Sequence, residues 1–98
     1  MNAVRIHPEA LAEAEDAVAW YRQRSERAAR EFLVELGSTI DRITKNPEQF
    51  APGEFGTRRA VLHRFPYLVV VRVTADDIEI VAIAHGRRKP GYWRGRTH

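Results

Sequence analysis

The stretch RRAVLHRFPYLVVVRVTADDIEIVAIAH, residues 58–85, decides the fold. It holds three short runs rich in valine and isoleucine, in which side chains of unlike polarity alternate, as is typical of β-strands. The runs are 58–64, 67–74 and 78–85, separated by Phe65-Pro66 and Ala75-Asp76-Asp77. Because such short connections join neighbouring antiparallel strands, the stretch predicts a three-stranded meander.

Two amphipathic helices are predicted before these strands. Pro8 fits the first turn of the first helix, because its missing N–H has no partner there anyway. Ser25 is a suitable N-cap for the second helix, and Asn46-Pro47 ends it. The apolar stripes at helical spacing are Leu11, Ala14, Val18 and Tyr21 in the first helix and Ala29, Phe32, Leu36, Ile40 and Ile43 in the second. A short link between the two helices predicts an antiparallel hairpin.

The order of elements gives the fold class. Val4-Arg5-Ile6, stopped by Pro8, reads as a short first strand, and the proline- and glycine-containing segment 47–57 reads as a loop. We therefore expect an α+β fold in the order β-α-α-β-β-β, with a helical hairpin packed on one face of a mainly antiparallel sheet. A length of 98 residues suits one domain, 1–98.

Alternation along the strands also predicts which side chains share a face of the sheet. The face beneath the helices is expected to hold Val69, Val71, Val73, Ile78, Ile80, Ala82 and Ala84. The opposite face, called the open face below, is expected to hold Arg59, Val61, His63, Leu68, Val70, Arg72, Glu79, Val81, Ile83 and His85. Such a mixed apolar and basic face is suited to docking, although a solvated face with Arg72 paired to Glu79 is the plain alternative.

After the last strand the chain continues as HGRRKPGYWRGR, residues 85–96, with five cations and no acid. We call residues 86–96 the C-terminal tail. Its adjacent aromatic residues, Tyr92 and Trp93, are expected to be exposed beside the cations rather than in a core. Such a surface would attract an anion or a partner groove and offer contact area. The alternative is a solvated terminus that is basic without function.

Composition excludes several classes of protein. There is no cysteine for a disulfide or a thiolate metal site, and no apolar run approaches the roughly 18 to 20 residues of a membrane span. The histidines His7, His63, His85 and His98 lack the spacing of metal ligands, so we expect no metal and no other cofactor. No signal peptide is visible, so the cytoplasm is the expected location, with no membrane partner.

The charge is distributed unevenly along the chain. Its net value is +3, but residues 1–49 hold 7 basic and 9 acidic side chains, whereas residues 50–98 hold 9 and 4. The second half therefore favours a polyanionic or acidic partner.

Taken together, these pieces resemble the RelE/ParE toxin superfamily of bacterial toxin–antitoxin modules, over almost the whole chain. The resemblance rests on an acidic, alanine-rich first helix ending in Trp20-Tyr21, a second helix closing on Asn46-Pro47, an arginine before the second strand, Phe65-Pro66-Tyr67, and a last strand running into His85 and Arg87-Arg88. The resemblance implies one of two chemistries. RelE-type members cleave messenger RNA on the ribosome, while ParE-type members are not nucleases and poison DNA gyrase. An antitoxin holds both types inactive.

The RelE pattern is only partly present. Arg59 stands where the first sheet lysine is expected, and Arg87 where the late phosphate-stabilising arginine is expected. The second lysine, however, falls on Val61 and the arginine of the third strand falls on Leu68. The terminal tyrosine falls on Trp93, with Tyr92 one place away.

We therefore expect a ParE-like toxin that is not an enzyme, binds DNA gyrase and is neutralised by a cognate ParD-like antitoxin. The expected target-binding residues are Arg58, Arg59, Arg87, Arg88, Lys89, Tyr92 and Trp93. The alternative is a ribosome-dependent mRNA endoribonuclease, with His63 and His85 as an acid–base pair and Arg59, His63, His85 and Arg87 as its catalytic residues. A further alternative is an inactive member that only binds its antitoxin.

Overall fold

A computed structural model describes residues 3–96 of the chain. The elements are β1 (Ala3–Ile6), α1 (Pro8–Arg22), α2 (Glu26–Lys45), β2 (Ala51–Pro52), β3 (Thr57–Val61), β4 (Tyr67–Val73) and β5 (Asp77–His85), with short 3-10 turns at Pro47–Gln49, Glu54–Gly56 and Arg94–Arg96. The expected α+β class and element order are confirmed. The two-residue strand β2 lies in the segment that the sequence marked only as a loop, and His98 lies outside the described residues.

The helices begin at the expected residues because side chains satisfy their first N–H groups. His7 is the N-cap of α1, where its ring accepts a hydrogen bond from the Glu9 N–H at 3.1 Å, and Pro8 takes the first helical position. The Ser25 hydroxyl accepts from the Ala28 N–H at 3.2 Å at the start of α2. Asn46 ends that helix. These caps fix the ends of a hairpin that lies across one face of the sheet.

The five strands form one mixed sheet in the order β1-β5-β4-β3-β2. β1 runs parallel to β5, while the other neighbours are antiparallel. An ion pair between Arg5 and Asp77, at 2.7 Å, supports the parallel pair. β1 pairs with the first part of β5, residues 77–80, so within residues 3–96 the second part of β5 has an edge without a strand partner.

A β-bulge on β5 changes which side chains share a face. Val70 pairs with Ala82 while Val71 pairs with Ile80, so Val81 is an extra residue and the alternation reverses after it. Ile83 therefore packs into the core beneath the helices, whereas Ala82 packs on the other side beside Val70. The predicted positions of Ala82, Ala84, Ile83 and His85 are wrong for this reason, since strict alternation ignores the inserted residue. Ala84 pairs with Leu68 on the open face, and His85 pairs with Tyr67.

Two apolar clusters cover the sheet, one on each side. The first lies between helices and sheet, and its buried members are Ala10, Ala17, Phe32, Leu36, Ile43, Ala60, Leu62, Val69, Val71, Ile78, Ile80 and Ile83. The second is small and joins Trp93 of the C-terminal tail to Val70, Val81 and Ala82. The tail therefore covers part of the open face.

Candidate functional site

The C-terminal tail folds back over the open face instead of extending into solvent. Trp93 is only 8% exposed, so the expectation that Tyr92 and Trp93 stand clear of any core is wrong. The bulge supplies the reason, because it creates an apolar patch that a large indole can cover. Gly86 starts the reversal by donating its N–H to the Pro66 carbonyl at 2.7 Å, and Gly91 turns the chain with a φ of 78°.

Glu13 of α1 holds the end of the tail. One carboxylate oxygen accepts from the Tyr92 hydroxyl at 2.6 Å, and the two oxygens together accept from both terminal nitrogens of Arg96 at 3.0 and 3.1 Å. The same carboxylate accepts from the Ile83 N–H at 3.0 Å, while Arg96 donates to the Val81 carbonyl at 3.1 Å. We call the side chains of Glu13, Tyr92 and Arg96 the Glu13 clamp. The clamp satisfies backbone groups on the edge of β5 that no strand among the described residues pairs, and this protects the edge from pairing with another chain.

The clamp is electrostatically coupled. Burial alone would raise the pKa of Glu13, but the hydrogen bonds from Arg96, Tyr92 and Ile83 outweigh it and lower that pKa below its ordinary value. Burial and the neighbouring Glu13 carboxylate raise the pKa of Tyr92. Tyr92 is therefore a hydrogen-bond donor throughout the physiological range, and Glu13 is ionised to receive it.

Beside the tail, the open face holds a recess of about 260 Å³ that we call the open-face groove. Its floor is apolar, with Leu68, Val70 and Ala84 against Trp93. Its basic lining consists of Arg59 from β3 and of Arg88 and Lys89 from the tail. The Arg88 guanidinium also stacks over the Tyr92 ring, 3.8 Å from its centre.

Most of the predicted target-binding residues meet at this groove. Arg59, Arg88, Lys89, Tyr92 and Trp93 line it. The other two are Arg58 and Arg87, which are not part of its lining. Arg58 donates to the Phe50 carbonyl at 3.0 Å and so holds the loop before β3, while the exposed Arg87 lies two residues after the end of β5.

The predicted acid–base pair is not assembled. His63 lies in the turn between β3 and β4, where its N–H donates to the carboxylate of Glu35 on α2. The His85 ring instead packs edge-on against Tyr67, with centroids 5.0 Å apart, and its Nδ1 accepts from the Arg87 N–H at 3.0 Å. Within residues 3–96 no hydrogen bond or ring contact joins the two histidines. The expectation that both point from the open face is wrong for His63, because β3 ends before it. The bulge turns the His85 ring toward Tyr67, although His85 also borders the open-face groove.

Sequence reasoning missed Phe55, which is not part of the groove lining but contacts Trp93, which is. It is 50% exposed, and its φ of 60° places the backbone in the left-handed region. Its ring meets Trp93 edge-on at 6.2 Å, and the Arg94 guanidinium lies 5.3 Å from its centre. A bulky aromatic next to Gly56 in a turn-forming loop was the available signal. Glu13, also missed, carried no such signal, because its partners lie far away in sequence.

The helices present a second surface, apolar rather than basic. Leu11, Val18 and Leu33 line a shallow recess between α1 and α2. Leu11 and Leu33 are each 46% exposed, and the neighbouring Val34 is 70% exposed. We call this the helix-hairpin surface. Large exposed aliphatic side chains grouped on one side of a small domain are typical of a protein interface.

Two negative findings apply to residues 3–96. No helix there is both long and apolar enough to cross a membrane. No group of three or more histidine, aspartate or glutamate side chains in that range is arranged to hold a metal ion.

The chain is thus a helical hairpin on one face of a five-stranded mixed sheet, with a basic tail folded onto the other face. The family model described as the ParE toxin of the type II toxin–antitoxin system parDE matches residues 4–90. The chain therefore belongs to the ParE toxin family, and its expected membership of the RelE/ParE superfamily is confirmed.

Solved structures agree on the fold. The chain is similar to a protein of the chromosomal ParDE toxin–antitoxin system from P. aeruginosa, with a TM-score of 0.76 and 20% sequence identity. The match covers 87% of this chain and 96% of that one. Comparison with curated proteins gave no match.

Proposed function

We propose that this ParE-type toxin inhibits growth by binding DNA gyrase in the cytoplasm, without cleaving RNA, and that a cognate ParD-like antitoxin neutralises it. One observation carries the choice of target. Val61 of β3 and Leu68 of β4 are direct partners across the open face, where an RNA-cleaving relative would need cations. Val61 is 62% exposed, so the position is available to a ligand but offers it no charge.

Phosphate transfer depends on donors that stabilise the charge developing in the transition state. Loss of one preorganised donor to a developing charge typically costs about 2.7 to 4 kcal/mol of transition-state stabilisation. Two cations are missing beside Arg59, and the two candidate histidines are not in contact. A surface with an apolar centre and a basic rim is better suited to holding a protein than to compressing a messenger phosphate.

Two assays on one preparation test the proposal. Purified toxin should inhibit supercoiling by gyrase, or trap gyrase on cleaved DNA, in a reaction without ribosomes. The same preparation should leave mRNA intact in a translating extract. Codon-positioned cuts that vanish in His85→Ala or Arg87→Ala would replace the proposal with the ribonuclease. If the toxin neither inhibits gyrase nor cleaves mRNA, the result would favour an inactive member that only binds antitoxin.

The antitoxin is proposed to cover the helix-hairpin surface. Exposed Leu11, Leu33 and Val34 fit the apolar side of an amphipathic segment, and an acidic extension of that segment would fit the basic second half of the chain, residues 50–98. The complex should bury well over the ~1,200 Å² of a stable interface. Leu33→Glu should abolish co-purification of the neighbouring gene product and leave gyrase inhibition unchanged. Retention of that product by the variant would place the antitoxin elsewhere.

A further inference from the structure

We propose that the open-face groove recognises an acidic segment of the target protein that inserts one apolar side chain, and that Phe55 is the aromatic contact at the edge of this site. The inference rests on the proposed function only in taking gyrase as the protein that carries the segment. The groove's charge, size and exposed aromatic surface each contribute to it.

The charge of the groove favours carboxylates. Within residues 3–96, Arg59, Arg88 and Lys89 form no ion pair with an acidic side chain. Glu54 is the acidic residue in the groove lining, so the cations outnumber it. Cations without carboxylate partners around an apolar floor attract an acidic segment from a distance and then form charge-assisted hydrogen bonds with it.

The size of the groove favours a side chain over a larger ligand. Its volume of about 260 Å³ lies below the roughly 300 to 1,000 Å³ of pockets that enclose small-molecule ligands. The floor of Leu68, Val70 and Ala84 offers contact to one aliphatic or aromatic group. An apolar anchor flanked by acidic residues therefore matches both the floor and the rim.

The aromatic surface argues against single-stranded nucleic acid, the other polyanion that a basic groove attracts. Such binding relies on open aromatic faces that stack successive bases. Trp93 is 8% exposed, and Arg88 already covers the Tyr92 ring. Phe55 is one exposed ring that contacts Trp93 and has Arg94 near it, so it offers at most one stacking contact and not a row of them.

Phe55 itself has the properties of an interface hot spot. An exposed aromatic side chain beside a fully packed one adds contact area at low entropic cost. Its left-handed backbone conformation is unfavourable for a bulky residue and is adopted more readily by glycine or asparagine. A residue whose backbone conformation destabilises the fold, and which is not part of a core, is expected to have a role in binding.

The test uses Phe55→Asn, because asparagine adopts the left-handed conformation readily. We expect the variant to melt at the same temperature as the parent or higher, while its affinity for purified gyrase holoenzyme falls roughly tenfold or more, about 1.4 kcal/mol. Val4→Ala, which changes an exposed aliphatic residue on β1, is the matched control and should leave gyrase affinity unchanged. Parent affinity should also fall as salt is raised.

A second measurement does not depend on gyrase. A short synthetic peptide of glutamates flanking one leucine is titrated into Trp20→Phe protein, whose remaining indole, Trp93, lines the groove. The peptide should change Trp93 emission, and should do so more weakly in Phe55→Asn.

The outcomes separate this inference from the proposed function. If the parent binds gyrase and Phe55→Asn binds it equally well, the inference is wrong and the proposed target stands. If the parent does not bind gyrase, the proposed target is wrong, and the peptide titration decides the inference alone. A parent that ignores the peptide, or that prefers a single-stranded oligonucleotide to it, overturns the acidic-segment assignment.

Discussion

Replacing Glu13 by alanine should release the C-terminal tail and destabilise the whole domain. The substitution removes the acceptor of the Tyr92 hydroxyl, of the Ile83 N–H and of both Arg96 nitrogens. The side chains of Arg96 and Glu13 are 11% and 16% exposed, so the arginine would stay largely buried without its partner. The tail's contribution therefore depends on one side chain from the opposite end of the sequence.

The expected loss of stability in Glu13→Ala is set by the partners that lose the carboxylate. Breaking a buried, hydrogen-bonded ion pair by removing one member costs about 3 to 5 kcal/mol, and the remaining exposure favours the lower end, about 3 kcal/mol. For a domain of this size that corresponds to a loss of roughly 15 °C in thermal midpoint. Glu13→Gln keeps an acceptor and loses the charge, so we expect it to lower the free energy of unfolding by about 1 to 2 kcal/mol.

Thermal unfolding followed by circular dichroism, together with hydrogen exchange at the Ile83 amide, measures both effects. Glu13→Ala should lower the midpoint and speed exchange at Ile83, since its N–H loses its acceptor. Glu15→Ala, an exposed acid on the same helix, is the control and should change stability by no more than about 0.5 kcal/mol. If Glu13→Ala has the same thermal midpoint as Glu15→Ala and its Ile83 amide stays protected from exchange, the role of the clamp is refuted.

Three further predictions concern the tail. Trp93→Ala should cost about 3 kcal/mol or more in urea unfolding, because it empties the cluster on the open face. A melt like that of the parent would show that the indole is not buried. Arg87→Ala/Arg88→Ala should relieve toxicity in a growth assay while costing only about 0.5 to 1 kcal/mol of stability, from the lost stacking of Arg88 on Tyr92. Full toxicity would remove these two arginines from the target site. The pKa of Glu13 is lowered in the folded state. Its contribution to the free energy of unfolding is therefore complete above the ordinary carboxyl pKa of about 4.3 and is lost as pH falls below that value. Glu13→Gln should consequently make stability fall less steeply with decreasing pH in the acid range. A limb as steep as that of the parent would contradict this.

The fold was accessible from sequence because its signals are local. Pro8, Ser25 and Asn46 mark helix ends, and the caps observed at His7 and Ser25 use neighbouring backbone groups. The faces of the sheet were less accessible, because one inserted residue at Val81 reverses every later position on β5. No composition or spacing rule places a bulge inside a continuous apolar run, so the assignment failed there.

The candidate site was predicted in its charges but not in its shape. Basic residues of the tail and Arg59 do meet at one groove, as the uneven charge suggested. The burial of Trp93 was not predictable, because it depends on the patch that the bulge creates and on a carboxylate from α1. Such contacts join residues that are distant in sequence, and their partners become visible only when the chain is folded.

The parallel pairing of β1 with β5 also determines when the domain can fold. Ala3 pairs with Asp77, so synthesis must reach β5 before the first strand has its neighbour. The helical hairpin can form earlier, but its apolar stripe has no sheet to cover until β4 and β5 are joined. Folding dominated by such long-range closure is slow and leaves apolar surface open on partial chains. A nascent chain that ends before Asp77 lacks β5, the neighbour of both β1 and β4, so this fold forms only after β5 has been made.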